Sequence, residues 1–260
     1  MSVLGRARNR ARRGAGRLAL EALRRRAQGD LYVDYGWGSL IYSGDGDAQE
    51  VLYHLHQREW YRQDMAVLRP LVAAGMTVVD VGANLGFFSL MVAPLLRPGG
   101  TIVALEPSRR TFAKLTRTIA RNDLGDVVTA VNSGCAAAAG SATLHQVSAS
   151  SGNATILAEG GRGGGGEEIG LTRLDDLDLD AVGLLKIDTE GYESEVLKGG
   201  TRMLAESRPT LFIELGGHYL EGTLEAVELL TELGYETAAL RGVDWKGVGN
   251  GANFVVTPRA

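Results

Sequence analysis

From Thr77 onward, apolar residues fall in short runs separated by amphipathic stretches. The runs 77–81, 101–105 and 127–131 are apolar, and between them 86–96 and 108–122 place apolar residues at helical spacing. Strands buried on both faces read as continuous apolar runs, so this alternation predicts a parallel sheet with helices on either side. The rhythm resumes with a strand over 183–187, a helix near 192–204, a strand over 210–215 and a helix over 223–233. Terminal strands are expected near 236–240 and 253–257.

Two segments break this rhythm. Residues 31–43 alternate around Gly36 and Gly38 and predict a short hairpin, and 47–73 reads as one or two helices. Residues 142–171 hold short alternating pieces, a serine-rich turn (Ser148, Ser150, Ser151, Gly152) and six glycines within 160–166, the pattern of an irregular, hairpin-containing insertion. Together these predict one domain over residues 29–260, with 29–75 as accessory elements on the substrate side and 142–171 as an insertion. Residues 1–28 form a basic tail or helix ahead of it.

Composition sharpens this picture. The 260 residues are 45% hydrophobic and 22% charged, the range of an ordinary globular domain. The longest apolar stretches, such as 90–96 with Pro94 inside it, fall far short of the ~18 residues that cross a bilayer. Cys135 is the single cysteine, which excludes an intramolecular disulfide or a zinc site with two thiolates; the expected compartment is the cytoplasm. The net charge of -4 conceals an asymmetry, since nine of the 27 basic residues sit in residues 1–28 against the one acid Glu21. The remainder is acidic, so broad nucleic-acid binding is not expected of it, and the tail reads first as a solvated N-terminal helix and, as the sharper alternative, as a patch that touches anionic lipid or a partner.

The segment Val78-Val79-Asp80-Val81-Gly82-Ala83-Asn84-Leu85-Gly86 runs from a strand through a glycine turn into a helix. Such a turn lets a ligand approach backbone at a helix N-terminus. Glu106, twenty residues beyond Gly86, ends the next strand, where a carboxylate can accept both hydroxyl protons of a ribose. A dinucleotide site wants G-x-G-x-x-G for its pyrophosphate, whereas here Asn84 replaces the second glycine and Asp80 stands on the strand. A carboxylate suits a cofactor with a cationic amino-acid end, S-adenosylmethionine (SAM). The cofactor-binding set is therefore Asp80, Gly82, Asn84, Gly86, Glu106 and, across the cleft, Asp188.

These stretches, with 104–123, 184–199 (L-L-K-I-D-T-E-G-Y-E-S-E-V-L-K-G) and 208–215, resemble the FkbM family of SAM-dependent methyltransferases over most of residues 60–257. The resemblance implies a class I methyltransferase fold: a doubly wound, Rossmann-like seven-stranded sheet with its last strand antiparallel. It also implies methyl transfer to oxygen, on sugars, glycans, glycolipids or natural-product scaffolds. Two places depart from the family pattern. Ala136-Ala137 stand where members commonly carry Ser-Asp, and Tyr61 is followed by Arg62-Gln63-Asp64, so that Gln63 or Asp64 takes the place of an acid.

An unactivated hydroxyl must lose its proton as it attacks a methyl group, so a base is needed. Asp188, Glu190, Glu214 and His218 lie at or past the carboxyl ends of strands, where ligands of doubly wound sheets bind. Asp188 and His218 are the candidate bases; His218 is favoured for its proton affinity near neutrality, with Asp188 then orienting the acceptor and Glu190 supporting it. Helix capping is the competing role for Asp188 and Thr189. No metal is expected: His54 and His56 stand two apart in an expected helix, on different faces. The rival functions are a nucleic-acid methyltransferase and a binding module without chemistry.

Overall fold

The computed structural model describes residues 31–34, 38–42, 58–146, 154–156, 166–216, 219–248 and 251–259. The basic tail, His54, His56, His218, the serine-rich turn and most of the glycine run lie outside the described residues. In chain order the elements are β1 (Leu31–Asp34), β2 (Ser39–Tyr42), α1 (Arg58–Leu68), β3 (Thr77–Val81), α2 (Phe87–Leu96), β4 (Thr101–Leu105), α3 (Arg109–Arg121) and β5 (Val128–Val131). Then come β6 (Gly134–Cys135), β7 (Gly140–Gln146), β8 (Ala154–Thr155), β9 (Glu167–Thr172), β10 (Val182–Ile187), α4 (Glu193–Lys198) and α5 (Thr201–Glu206). The chain closes with β11 (Thr210–Leu215), α6 (Leu220–Glu232), α7 (Ala238–Arg241) and β12 (Ala252–Val256).

Six strands form the central sheet in the order β12-β11-β10-β3-β4-β5, parallel except for β12, which pairs antiparallel with β11. From β3 the chain builds outward through β4 and β5, then crosses back to add β10 and β11 on the other side. The reversal leaves a crevice beyond the carboxyl ends of β3 and β10. Period-two alternation feeds two cores. Val78, Leu184 and Phe212 join Leu90 and Leu115 on one face, while Val79, Leu185 and Leu211 join Val196, Leu204 and Leu230 on the other. Phe88 of α2 stacks on Phe212, with ring centroids 6.3 Å apart.

The expected seventh strand over 236–240 is not a strand. Tyr235 makes a single antiparallel bridge to Pro258, and residues 238–241 turn into α7. Pro258 has no N–H to extend the ladder, and Ala238, Ala239 and Leu240 are strong helix formers. The helix expected near 192–204 is likewise two short helices, interrupted at Gly199-Gly200. A Cβ on Gly199 would lie 2.0 Å from the Ala136 carbonyl oxygen, so the chain bends where it meets that backbone. The hairpin of β1 and β2 is present, and β2 packs against α3. The insertion is a small sheet of order β6-β9-β7-β8, in which His145 is a strand residue of β7.

Candidate active site

The cofactor turn begins where β3 ends. The amides of Gly82 and Ala83 both donate to the Leu105 carbonyl, at 3.0 and 2.9 Å, and the Asn84 amide donates to Glu106 Oε2 at 3.0 Å. Three consecutive donors are thus engaged within the protein rather than offered to a phosphate, which favours a cofactor without a pyrophosphate over a dinucleotide. Asn84 holds a left-handed backbone (φ 49°), and its buried Oδ1 has no hydrogen-bond partner. Asn84 lines an open pocket together with Gly82, Glu106, Gly134, Asp188 and Tyr192.

Glu106 sits 7% exposed on the pocket wall, its Oε1 accepting the Ser108 amide at 2.9 Å. Burial pushes its pKa up to about 7, against the pull of the two amide donors. Each oxygen accepts one amide and keeps a second lone pair, so the carboxylate retains capacity for the two hydroxyls of a ribose.

Three of the expected cofactor contacts, Asp80, Gly82 and Gly86, have a different geometry from the one anticipated. Asp80 is 0% exposed: Ser89 Oγ donates to its Oδ2 at 2.8 Å, and Lys186 Nζ lies 3.2 Å from its Oδ1. A side chain closed off in this way is not a direct contact for the amino end of a cofactor. Its charge is answered by a lysine 106 residues away in sequence, opposite it in the β3–β10 register. Gly82 is required by packing, since a Cβ there would stand 1.9 Å from the Asp188 carbonyl oxygen. At Gly86 the missing side chain faces Leu115 of α3, 2.7 Å from a built Cβ. Both glycines shape the turn through neighbouring protein rather than by clearing room for a ligand.

Across the crevice, β10 delivers Lys186 and Asp188 to one face, and Lys186 Nζ lies 3.4 Å from Asp188 Oδ2. Burial disfavours the ammonium, but Asp188 and Asp80 outweigh it and raise its pKa, so Lys186 stays charged. Asp188 is 41% exposed to the crevice and caps no helix, because α4 begins at Glu193 with Tyr192 at its N-cap. Asp188, Glu190 and Glu214 each bring one carboxylate oxygen within 4.8 Å of the others, a spacing at which positive charge is needed. A divalent cation fits such a spacing; Lys186 and a retained proton supply the same compensation. Burial, then the neighbouring Asp188, push Glu214 well above the carboxylate range, and the same two causes raise Glu190 to about 7.

The loop carrying Glu190 is itself fixed. Glu193 Oε1 accepts from the Thr189 amide and hydroxyl, both at 2.9 Å, and from the Gly191 amide at 3.2 Å. This holds Glu190 in a left-handed conformation (φ 54°), with Gly191 against the Tyr219 ring, 2.3 Å from a built Cβ. Thr155 of β8 donates to the Glu190 carbonyl at 2.9 Å, so the insertion docks on this loop. Nothing local in the sequence marks this role of Glu193: Thr189 stands four residues ahead of it and the N-cap is Tyr192, so the spacing is not that of a capping box. Asp64 of α1 also reaches this region, its pKa raised by burial and by Asp188. His218 lies outside the described residues, so its position relative to these acids is not part of the geometry. Burial pushes the Cys135 thiol up to about 12, so the single cysteine is no nucleophile at neutral pH.

A model of the methyltransferase FkbM domain matches residues 80–237 of this chain, which span the cofactor turn, Glu106, the Lys186–Glu193 segment and Glu214. The chain belongs to the FkbM methyltransferase family. The methyl donor of this family is SAM. Asp64 falls outside the matched range, on an element that precedes the family domain. Methyltransferase sdnD of Sordaria araneosa is similar at 32% identity over 154 residues, which are 47% of this chain and 59% of that protein. The chain thus spans 59% of the length of that curated relative. Among solved structures, the FkbM methyltransferase of Methylobacillus flagellatus KT aligns at 20% identity and a TM-score of 0.45, over 60% of this chain and 37% of its own. The O-methyltransferase of Bacillus cereus, solved with S-adenosylhomocysteine (SAH), aligns at 14% identity and a TM-score of 0.48, over 82% of this chain and 90% of its own.

Proposed function

We propose that this FkbM-family protein transfers the methyl group of SAM to a hydroxyl oxygen of a sugar, glycan, glycolipid or natural-product acceptor. The observation that carries the reading is the gathering of Asp188, Glu190 and Glu214 within 4.8 Å, with Asp188 and Glu190 lining the same pocket as the cofactor turn and Glu106. SAM, when bound, supplies a methyl group on a cationic sulfur, which an oxygen attacks in line as the carbon–sulfur bond breaks. Glu106 and Asn84 hold the adenosyl end. Asp188 accepts a hydrogen bond from the acceptor hydroxyl and aims it. Glu190 takes the proton as the oxygen–carbon bond forms and afterwards returns it to water.

A base works best when its proton affinity lies near the working pH, and Glu190, raised to about 7, meets that condition among the described residues. His218, the base favoured from the sequence, lies outside the described residues, and it and Asp188 stand as the alternatives to Glu190. The acid-rich crevice supports a neutral or cationic acceptor over a polyanionic strand, which speaks against the nucleic-acid alternative. No described helix is long and apolar enough to cross a membrane. Our reading places the protein in the cytoplasm, with the +8 tail making peripheral contact with anionic lipid. The test is transfer of labelled methyl from SAM into fractionated extract, followed by mass spectrometry of the product. A labelled ether is expected; label on nitrogen, or none in any fraction, contradicts the proposal.

A further inference from the structure

Lys186 does more than neutralise a buried acid. Its side chain is 8% exposed, and such a site costs several kcal/mol in lost hydration unless every donor is answered. Asp80 alone, at 3.2 Å, would answer the charge. The ammonium nevertheless also donates to the Val81 carbonyl at 3.2 Å and the Gly82 carbonyl at 2.6 Å, and stands 3.4 Å from Asp188. The Val81 carbonyl accepts a second bond, from the Asp188 amide at 3.2 Å, and the Gly82 Cα abuts the Asp188 carbonyl. One buried cation therefore joins the first two residues of the cofactor turn to the residue that opens the acceptor loop.

We infer that Lys186 is a positioning residue that locks the cofactor turn (residues 81–84) and the acceptor loop (residues 188–191) into one register, so that occupancy of the first orders the second. Ammonium geometry matters to this role. Three rotatable donors on one atom can serve the two carbonyls while its single compact charge stands close to both carboxylates, whereas the planar fork of an arginine spreads its donors over separate atoms. The inference rests on SAM occupying the turn, as proposed above.

SAH is the probe, and the readouts are calorimetric affinity and hydrogen exchange of the two loops. Removing both charges together, Asp80→Asn with Lys186→Met, leaves no unpaired ion at the fully buried Asp80 position, while the exposed Asp188 keeps its contact with solvent, and so spares the fold from the largest penalty. In the parent chain, SAH should slow exchange in 81–84 and also in 188–191. In the double variant its affinity should fall about tenfold, the scale of two lost carbonyl hydrogen bonds, and protection of 188–191 should disappear. A folded double variant that binds SAH within twofold of the parent and still protects 188–191 overturns the inference and leaves the cofactor reading intact. Should that variant not fold, Lys186→Arg replaces it. That variant keeps Asp80 neutralised, and weakened binding with lost protection of 188–191 is expected, while parental behaviour overturns the inference. A parent chain that does not bind SAH at all removes the cofactor reading, and the inference with it.

Discussion

The two walls of the crevice solve opposite electrostatic problems. On the cofactor wall the charged groups and the amides of Gly82, Ala83 and Asn84 are answered inside the protein. Glu106 takes two amides, Asp80 is paired with Lys186 and Ser89, and the Gly82 and Ala83 amides share one carbonyl. On the acceptor wall three carboxylates crowd within 4.8 Å, with Asp64 near Asp188. Lys186 is the described cation that contacts this group. The first arrangement is built to bind without rearranging, because its donors and acceptors are already fixed. The second keeps proton affinities high, which is what abstracting a hydroxyl proton near neutral pH requires. Binding and chemistry should therefore separate by mutation along the line between the walls.

The largest effect is expected at Glu190. Glu190→Gln keeps the size of the side chain and removes the base, so turnover should fall roughly 10²–10⁴-fold once an acceptor is in hand. In the parent chain the rate should decline as pH drops below about 7, because a carboxyl with its pKa raised to that value is progressively protonated there. A His218→Ala variant with the same loss and a Glu190→Gln variant near parental turnover would move the base to His218.

Lys186→Met alone should strike stability as well as the positioning of the two loops. It leaves Asp80 buried at 0% exposure with no cation, and breaking a buried pair typically costs about 3–5 kcal/mol. Urea denaturation measures this, and a loss below about 1 kcal/mol would mean that Asp80 is stabilised without the pair.

How much of this was legible beforehand follows from the range of the interactions. The strands of the central sheet and the long helices α2, α3 and α6 were readable because their periodicity is local. The seventh strand was misjudged because 236–240 has strand-like flanks, while its ladder partner ends in Pro258, a fact of pairing rather than of pattern. Glu106 and the acids after β10 and β11 were readable from their place at strand ends. The burial of Asp80 was not, since its partner comes from β10 across a parallel register that the sequence does not display. Nor was the nearness of Asp64 to Asp188, which depends on how α1 docks on the domain. The glycines were found for a partly different reason than the one that needs them: Gly82 is fixed by the Asp188 carbonyl.

A smaller effect concerns pH and binding. Glu106 is raised to about 7, and ribose hydroxyls donate best to the carboxylate. SAH affinity should therefore be greatest above pH 7, weaken as pH falls through that value, and release a proton on binding near it. Calorimetry in buffers of different ionisation heat detects the proton, and Glu106→Gln should abolish the dependence. Smallest of all is the effect of removing residues 1–28, which precede every cofactor motif. SAH affinity should be unchanged, and any lost binding to anionic vesicles should already be weak at high salt, where the Debye length shrinks to about 3 Å.

The separation of binding from chemistry is tested most directly by titrating SAH into Glu106→Ala and Glu190→Gln side by side. Loss of a charge-assisted hydrogen bond should weaken Glu106→Ala by about 1.5–3 kcal/mol, roughly ten-fold or more, while Glu190→Gln binds within about twofold of the parent chain. Parental affinity in Glu106→Ala, or an equal loss in both variants, would contradict the division of labour between the two walls.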